Sequence, residues 1–339
     1  TSVREIVERA GVTKPMLYYH FGNKEGIYLA LVNESYQELG KMVRESLDFK
    51  GDVRQRLLRM TENVFDLFHA NQREVRFIHS MYYGPSGGAP EADLEAFAWP
   101  DPDRFDLSDL ALADEILPPN MKVICHIGKV FNPVWWLMGF ENFCLALADN
   151  QGLIEQMFER VGRIQYRTLE RALDHRCLGA YWHSDDVAFG TSLMVAPAVL
   201  RRYAFPWFRR LVQLAHEAGL LAVYHSDGKL DTILQDIIDI GFDGLNPIEP
   251  GAMDIVAVKR QVQGRLCLLG NVDLSYTLTR GTPQEVAAEV KGLIGAVAPG
   301  GGYCLSSANS IPDYVPFENY MAMREAWVRY SPYPIQIAD

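Results

Sequence analysis

The sequence contains no apolar run near the roughly 20 residues that a membrane-spanning helix needs, and no charged-then-apolar leader opens it. No membrane partner is expected. Cysteine is scarce: the five residues Cys125, Cys144, Cys177, Cys267 and Cys304 are odd in number, widely spaced and never arranged as C-x-x-C. That usage excludes a recognisable disulfide framework or thiolate zinc motif and fits a reducing cytoplasm. Cys125, Cys267 and Cys304 interrupt apolar runs and read as small buried hydrophobes. An excess of positive charge is also missing, since 32 Lys and Arg face 43 Asp and Glu for a net charge of -11. Up to Ser86 there are 12 basic and 11 acidic residues, and beyond it 20 and 32, so the acidity belongs to the second part. A polyanion would be repelled there, whereas the near-neutral first part can gather basic residues on one face. An initiator Met is absent, and the chain reads as a piece of something longer. What is present, 339 residues of which 48% are hydrophobic and 22% charged, suffices for two globular domains or one large one, and the pattern along the chain divides it in two.

The first of these spans residues 1–90. Thr1 and Ser2 can cap a helix over residues 3–10, with Val3, Ile6 and Val7 as its apolar stripe. Gly11 supplies a left-handed turn, and Thr13 caps a second helix over residues 14–20. The second helix of such a pair is the one that reads DNA, and it offers Thr13, Lys14, Pro15, Tyr18, Tyr19 and His20, with Lys24 opening the next helix. Core packing is the competing reading for Tyr18 and Phe21, and a solvated charge for Lys24. The run TSVREIVERAGVTKPMLYYHFGNKEGIYLALV resembles the N-terminal domain of TetR-type transcriptional repressors. The resemblance implies backbone contacts from Tyr18, His20 and Lys24, base reading from Thr13, Lys14 and Pro15, a further helix ahead of Thr1, and a homodimer as the DNA-binding form. Amphipathic helices are expected over residues 26–82, until YGPSGGAP, starting at Tyr83, breaks the pattern. The seam lies at residues 85–92.

The second domain is assigned to residues 91–339, where short apolar runs alternate with helical stretches in the manner of a parallel sheet closed by helices. Six strands are predicted, at residues 123–127, 179–183, 221–225, 244–248, 266–269 and 303–306. Helices are predicted between them at 153–173, 197–218, 230–240, 255–263 and 283–297. Polar residues follow nearly every strand: Asp185 and Asp186, His225 and Asp227, Glu249, Asn271 and Asp273, then Asn309. That rhythm favours a barrel with its site at the C-terminal rim, although Asp and Asn in such places also cap helices. The fold class is therefore α/β, an incomplete TIM-type barrel of about six strands preceded by an all-α helix-turn-helix segment. An eight-stranded barrel would need two more strands before Glu91.

Three strings, VYHSDGKLDTILQDIIDIGFDGLNPIEP, LLGNVDLSYTLTRGTPQEVAAEV and GGGYCLSSANSIPDYVPFENYMAM, resemble the uroporphyrinogen decarboxylase superfamily, which includes corrinoid-dependent methyltransferases. EADLEAFAWPDPDRFDLSDL is similar to the loop before the third strand of the methyltransferase-like branch. In true decarboxylases the groups holding the tetrapyrrole lie on the first two strands, which this chain lacks. In zinc methyltransferases of the superfamily, a His-x-Cys and a later Cys bind the metal. Here the corresponding places hold His225, Ser226 and Asp227, then Asn309. Imidazole and carboxylate can still hold a divalent metal at His225, and the alternative is a rim His hydrogen-bonded to Asp227 or to substrate. His126 and His183 end strands and can face the cleft, or be satisfied polar residues of the core. Trp135, Trp136, Phe131 and Phe140 suit either a wall for a flat ligand or the core. Gly300, Gly301 and Gly302 precede a strand and read as a turn.

The favoured function is methyl transfer or demethylation of a small methylated substrate, with a corrinoid on a partner protein and a divalent metal as the implied cofactors. His225, Asp227 and Glu249 are the candidate catalytic residues, and Asp185, Asp186, His126, Asn271 and Asn309 the candidate substrate contacts. Two alternatives stay open. One is a TetR-type regulator whose barrel serves as sensor, and the other is a join of two gene fragments.

Overall fold

The computed structural model describes residues 7, 9–22, 27, 30, 52, 55, 59, 61, 97 and 99–336. The chain falls into two compact units, Thr1–Pro85 and Ser86–Asp339. Lys24, most of the helices expected over residues 26–82 and the seam at 85–92 lie outside the described residues.

In the first unit Gly11 takes the left-handed conformation (φ +66°) that lets the chain turn, and the Val12 amide donates to the Val7 carbonyl. Helix α1, Lys14–Phe21, then starts on Thr13, whose hydroxyl accepts from the Met16 amide at 3.4 Å. Pro15 fits the first turn, where its missing N–H costs nothing, and Gly22 ends the helix. Leu17 faces inward while Lys14, Pro15, Tyr19 and His20 are exposed. Phe21, which its aromatic character would assign to the core, is 40% exposed in the last turn.

Among the described residues of the second unit a 3-10 turn (Pro102–Arg104) precedes α2 (Ser108–Ile116) and β1 (Val123–Cys125), followed by three helices, α3 (Phe131–Met138), α4 (Phe140–Asp149) and α5 (Gln151–Ala172). From there strands and helices alternate: β2 (Leu178–Ser184), α6 (Phe205–Glu217), β3 (Leu221–His225), α7 (Leu234–Ile240), β4 (Gly244–Asn246), α8 (Ile255–Val262), β5 (Cys267–Val272), α9 (Pro283–Val297), β6 (Tyr303–Ser307) and α10 (Phe317–Tyr330). All six strands are parallel and lie in chain order, each beside its predecessor. Among the described residues β1 and β6 each have one strand neighbour, so the sheet is an open part of a TIM-type barrel.

Local sequence explains the elements. Strand side chains alternate between faces, so His183 of β2 and Tyr224 of β3 are buried against Phe208 of α6, with Tyr181 buried beside His183, while Trp182 and His225 meet on the opposite face. Helix α5 buries Ile154, Met157, Phe158, Val161, Leu169 and Ala172 at helical spacing. A Cβ on its Gly162 would come within 2.2 Å of the Trp207 ring, so glycine is what lets α5 and α6 approach. Helix α9 begins with a capping box in which Thr282 and Glu285 satisfy each other's amides, at 3.2 and 2.7 Å. The helix expected over residues 197–218 is instead broken by a π turn, Leu200–Ala204, before α6. Pro206 has no N–H to return to Arg202, and the ladder rearranges there. Burial of the cysteines also departs from expectation: Cys125 and Cys177 are buried, but Cys267 is half-buried and Cys304 exposed.

Candidate functional site

The polar residues converge on the C-terminal edge of the sheet, as strand direction requires in this fold. His225, the last residue of β3, places Nδ1 2.6 Å from Oδ1 of Asn246, the last residue of β4. The Asn246 amide nitrogen is committed to the Leu269 carbonyl at 3.2 Å, which turns its oxygen toward His225. An acceptor oxygen there puts the proton on Nδ1, so the neutral ring presents the Nε2 lone pair to the rim. Nε2 lies 3.8 Å from Asp227 Oδ1, and one donor atom each from Asp186, His225 and Asp227 fall within 4.8 Å of one another.

Asp227 is held from several sides. Its amide donates to Asp186 Oδ1 at 2.9 Å, and Asn309 donates to its Oδ2 at 2.8 Å. Its Oδ1 is buried with no hydrogen-bond partner among the described residues. Burial, and next the charge of Asp186, push the Asp227 carboxyl above its usual range, partly offset by His225 and Asn309. Glu249 accepts from the Gly228 amide at 2.8 Å. Gly228 has φ +87°, and a Cβ there would meet the Phe189 carbonyl oxygen at 2.6 Å, so only glycine fits this turn. The turn is also tied down by Ser226, which accepts from the Val187 amide at 3.1 Å, and by Lys229, whose amide donates to the Phe189 carbonyl at 2.9 Å.

Asp185 does not join this cluster, contrary to its expected place as a substrate contact. It is fully buried, and its carboxylate accepts from the amides of Val130, Phe131 and Asn132 at 2.7, 2.6 and 2.8 Å. Those amides are the orphan donors at the head of α3, so Asp185 anchors a helix to β2. Burial pushes its carboxyl up to about 7 against the pull of the three amides. Asn271 is likewise buried, at 3% exposure: its amide nitrogen donates to the Ile248 carbonyl at 2.7 Å, and its Oδ1 has no hydrogen-bond partner among the described residues. His183 belongs to the core: it lies 4.1 Å from Phe208 between ring centroids, contacts the Tyr181 hydroxyl at 2.7 Å, and burial lowers it to about 3. With that imidazole neutral, its 3.8 Å approach to Asp185 is no ion pair. His126 is exposed at the end of β1, and burial, Lys129 and then His225 lower its pKa. Asn309 is exposed and in place beside Asp227.

Phe131 is in the core, whereas Trp135, Phe140 and Phe189 form an edge-to-face run with centroids 5.6 and 6.3 Å apart. Gly300, Gly301 and Gly302 form the turn before β6, where Lys259 donates to the Gly301 carbonyl. Sequence reasoning missed Asn246 and Gly228. An Asn at a strand end, one strand over from a rim His, was the available signal for the first.

An open part-barrel of parallel strands with a polar cluster on its C-terminal rim defines a TIM-type α/β protein. Residues 95–330 match the family model for uroporphyrinogen decarboxylase (URO-D), and the chain belongs to that family. Residues 1–31 match the model for bacterial regulatory proteins of the tetR family. Among curated proteins, the methylcobamide:CoM methyltransferase MtaA of Methanosarcina barkeri is 32% identical over 125 residues, covering 36% of this chain and 34% of that protein. The HTH-type transcriptional activator FasR of Mycolicibacterium smegmatis is 39% identical over 79 residues, 23% of this chain and 36% of the activator. Uroporphyrinogen decarboxylase of Chlorobaculum tepidum is 24% identical over 216 residues, 59% of this chain and 57% of the decarboxylase. The chain thus spans about a third of the length of the first curated relatives it matches. A solved methyltransferase from Methanosarcina mazei superposes with a TM-score of 0.60 at 20% identity, covering 73% of this chain and 72% of that one, a likeness of fold.

Proposed function

We propose that the URO-D unit transfers methyl groups between a small methylated substrate and a corrinoid on a partner protein or a thiol acceptor. The observation that carries this reading is the rim cluster in which the Nε2 lone pair of His225 meets the carboxylates of Asp186 and Asp227. It is supported by family membership and by likeness to a protein named for methyl transfer from methylcobamide to CoM. The donor set fits a divalent metal, because Asp227 Oδ1 is a buried carboxylate oxygen with no hydrogen-bond partner among the described residues and His225 is held, through Nδ1, in the tautomer whose Nε2 lone pair faces the rim. His225, Asp186 and Asp227 would hold such an ion, and their nitrogen and oxygen donors suit zinc, iron or manganese. Bound there, it would act as a Lewis acid that favours the ionised form of a thiol acceptor. Asn309 orients Asp227, and Glu249 keeps the Gly228 turn in place beside the rim. The test is incubation of the full chain with isotopically labelled methyl donors and a free thiol, with mass spectrometry of the products. Label in the thiol, lost on His225→Ala, is expected, and an unlabelled thiol with every corrinoid and ether donor offered would overturn the reading.

For the first unit we infer DNA contact through Thr13, Lys14, Pro15, Tyr18, Tyr19 and His20, with Lys24 beyond the described residues. The exposed row Lys14, Pro15, Tyr19 and His20 on a capped helix favours it, as does likeness to a transcriptional activator. Salt-sensitive binding to duplex DNA, weakened by Lys14→Ala, is the expected result, and no binding at low salt would contradict it. A regulator that uses its barrel as sensor would further require a barrel ligand to change that affinity.

A further inference from the structure

Cys267 and Cys304 are far apart in sequence and neighbours only through the sheet. In the β5–β6 ladder Leu268 lies opposite Tyr303 and Leu269 opposite Cys304. Period-two alternation therefore sets Cys267 and Cys304 on one face, diagonal to each other. Their sulfurs are 3.8 Å apart and share a thiol hydrogen bond. The other cysteines lack this arrangement: Cys125 and Cys177 are buried with thiols pushed up by burial, and Cys144 stands exposed on α4. Cys304 is exposed, and the hydrogen bond from Cys267 pulls its thiol down to about 6, against burial. The same bond, followed by burial, raises Cys267, while Lys259 on α8 acts in the opposite direction. Cys304 is thus the exposed and more acidic sulfur, with the Cys267 thiol 3.8 Å away, the disposition of an attacking and a resolving cysteine.

We propose that Cys267 and Cys304 are a peroxide-oxidisable dithiol that closes to a disulfide between β5 and β6. The Cys304 thiolate attacks one oxygen of hydrogen peroxide, the O–O bond breaks, and the departing hydroxide takes up a proton to become water. Cys304 is then a sulfenic acid. Cys267 attacks that sulfur, the S–O bond breaks, and the second oxygen leaves with the Cys267 proton as a second water. Two thiols lose two electrons in all, and the peroxide gains them. Closure brings the sulfurs from 3.8 Å to about 2 Å. β6 can follow because, among the described residues, it is bound to one strand only. The link would pin the strand whose continuation carries Asn309 to Asp227.

The test treats the reduced full chain with hydrogen peroxide, then alkylates it in denaturant and counts labels by mass. Five labels are expected before oxidation and two fewer after it, with a linked peptide pair containing Cys267 and Cys304. Cys267→Ser should stall at a sulfenic acid on Cys304 that dimedone traps, and Cys304→Ser should give no link. Five labels after peroxide would overturn the proposal. So would sulfinic acid on Cys304 beside an alkylatable Cys267, or a link made through Cys144 between two chains. The counts on the unsubstituted chain decide the matter even where a variant fails to fold.

Discussion

Replacing Asp185 with Ala removes the acceptor of three buried amides at the head of α3, bonded at 2.6, 2.7 and 2.8 Å. A buried donor left unsatisfied costs about 1–3 kcal/mol, so the gross loss is about 3–9 kcal/mol. Removing a desolvated carboxyl returns part of it, which leaves a net destabilisation of about 2–5 kcal/mol. For a unit of this size each kcal/mol lowers the melting temperature by about 2–4 °C, so a drop of roughly 4–20 °C is expected. Thermal unfolding followed by circular dichroism at neutral pH measures it. Asp185→Asn should not rescue, because its amide nitrogen would turn a donor toward donors. A substrate contact on the rim would instead lose activity and keep its stability. Melting within 2 °C of the parent for both variants would refute the helix-anchoring argument.

Three further outcomes follow from the same geometry. Burial lowers the His183 imidazole from its ordinary 6.5 to about 3, so its folded pKa is depressed. Stability from this group is present above the unfolded value and is lost as pH falls from 6.5 toward 3, at about 1.4 kcal/mol per pH unit. His183→Phe should flatten that slope in urea titrations across the window, and an unchanged slope would contradict the assignment. Asn246→Leu should abolish the single His225 tautomer read from ring 15N shifts while Asn246→Asp preserves Nδ1–H; identical spectra for both would sink the positioning role. Gly228→Ala should cost about 1–3 kcal/mol in urea unfolding, from positive φ and the Phe189 carbonyl, and a neutral result would show the turn to be less constrained than drawn.

The strands were legible because each is a short apolar run closed by polar residues, and all six lie where the sequence places them. The rim could be read too, since His225, Asp227 and Asn309 follow strand ends and do meet there. The consecutive aspartates were not separated, although period two separates them: Tyr181 and His183 face the helices, so Asp185 shares their parity and Asp186 does not. Asn246 escaped because its role is a contact across two strands, which no local pattern encodes. Cys267 and Cys304 were misread because an apolar run implies burial only where the sheet face is covered, and here that face leaves Cys304 exposed. Pro206 hid a π turn within an otherwise helical stretch.

The central claim, that the Asp186–His225–Asp227 rim is a methyl-transfer centre, is tested most directly by the absorbance of a methylated corrinoid incubated with the full chain and a thiol. The account predicts demethylation by the parent chain and a loss of about a hundredfold or more in His225→Ala and Asp227→Ala, matching removal of a group that orients the reacting atoms. Demethylation at equal rates in all three, with melting temperatures unchanged, would contradict it.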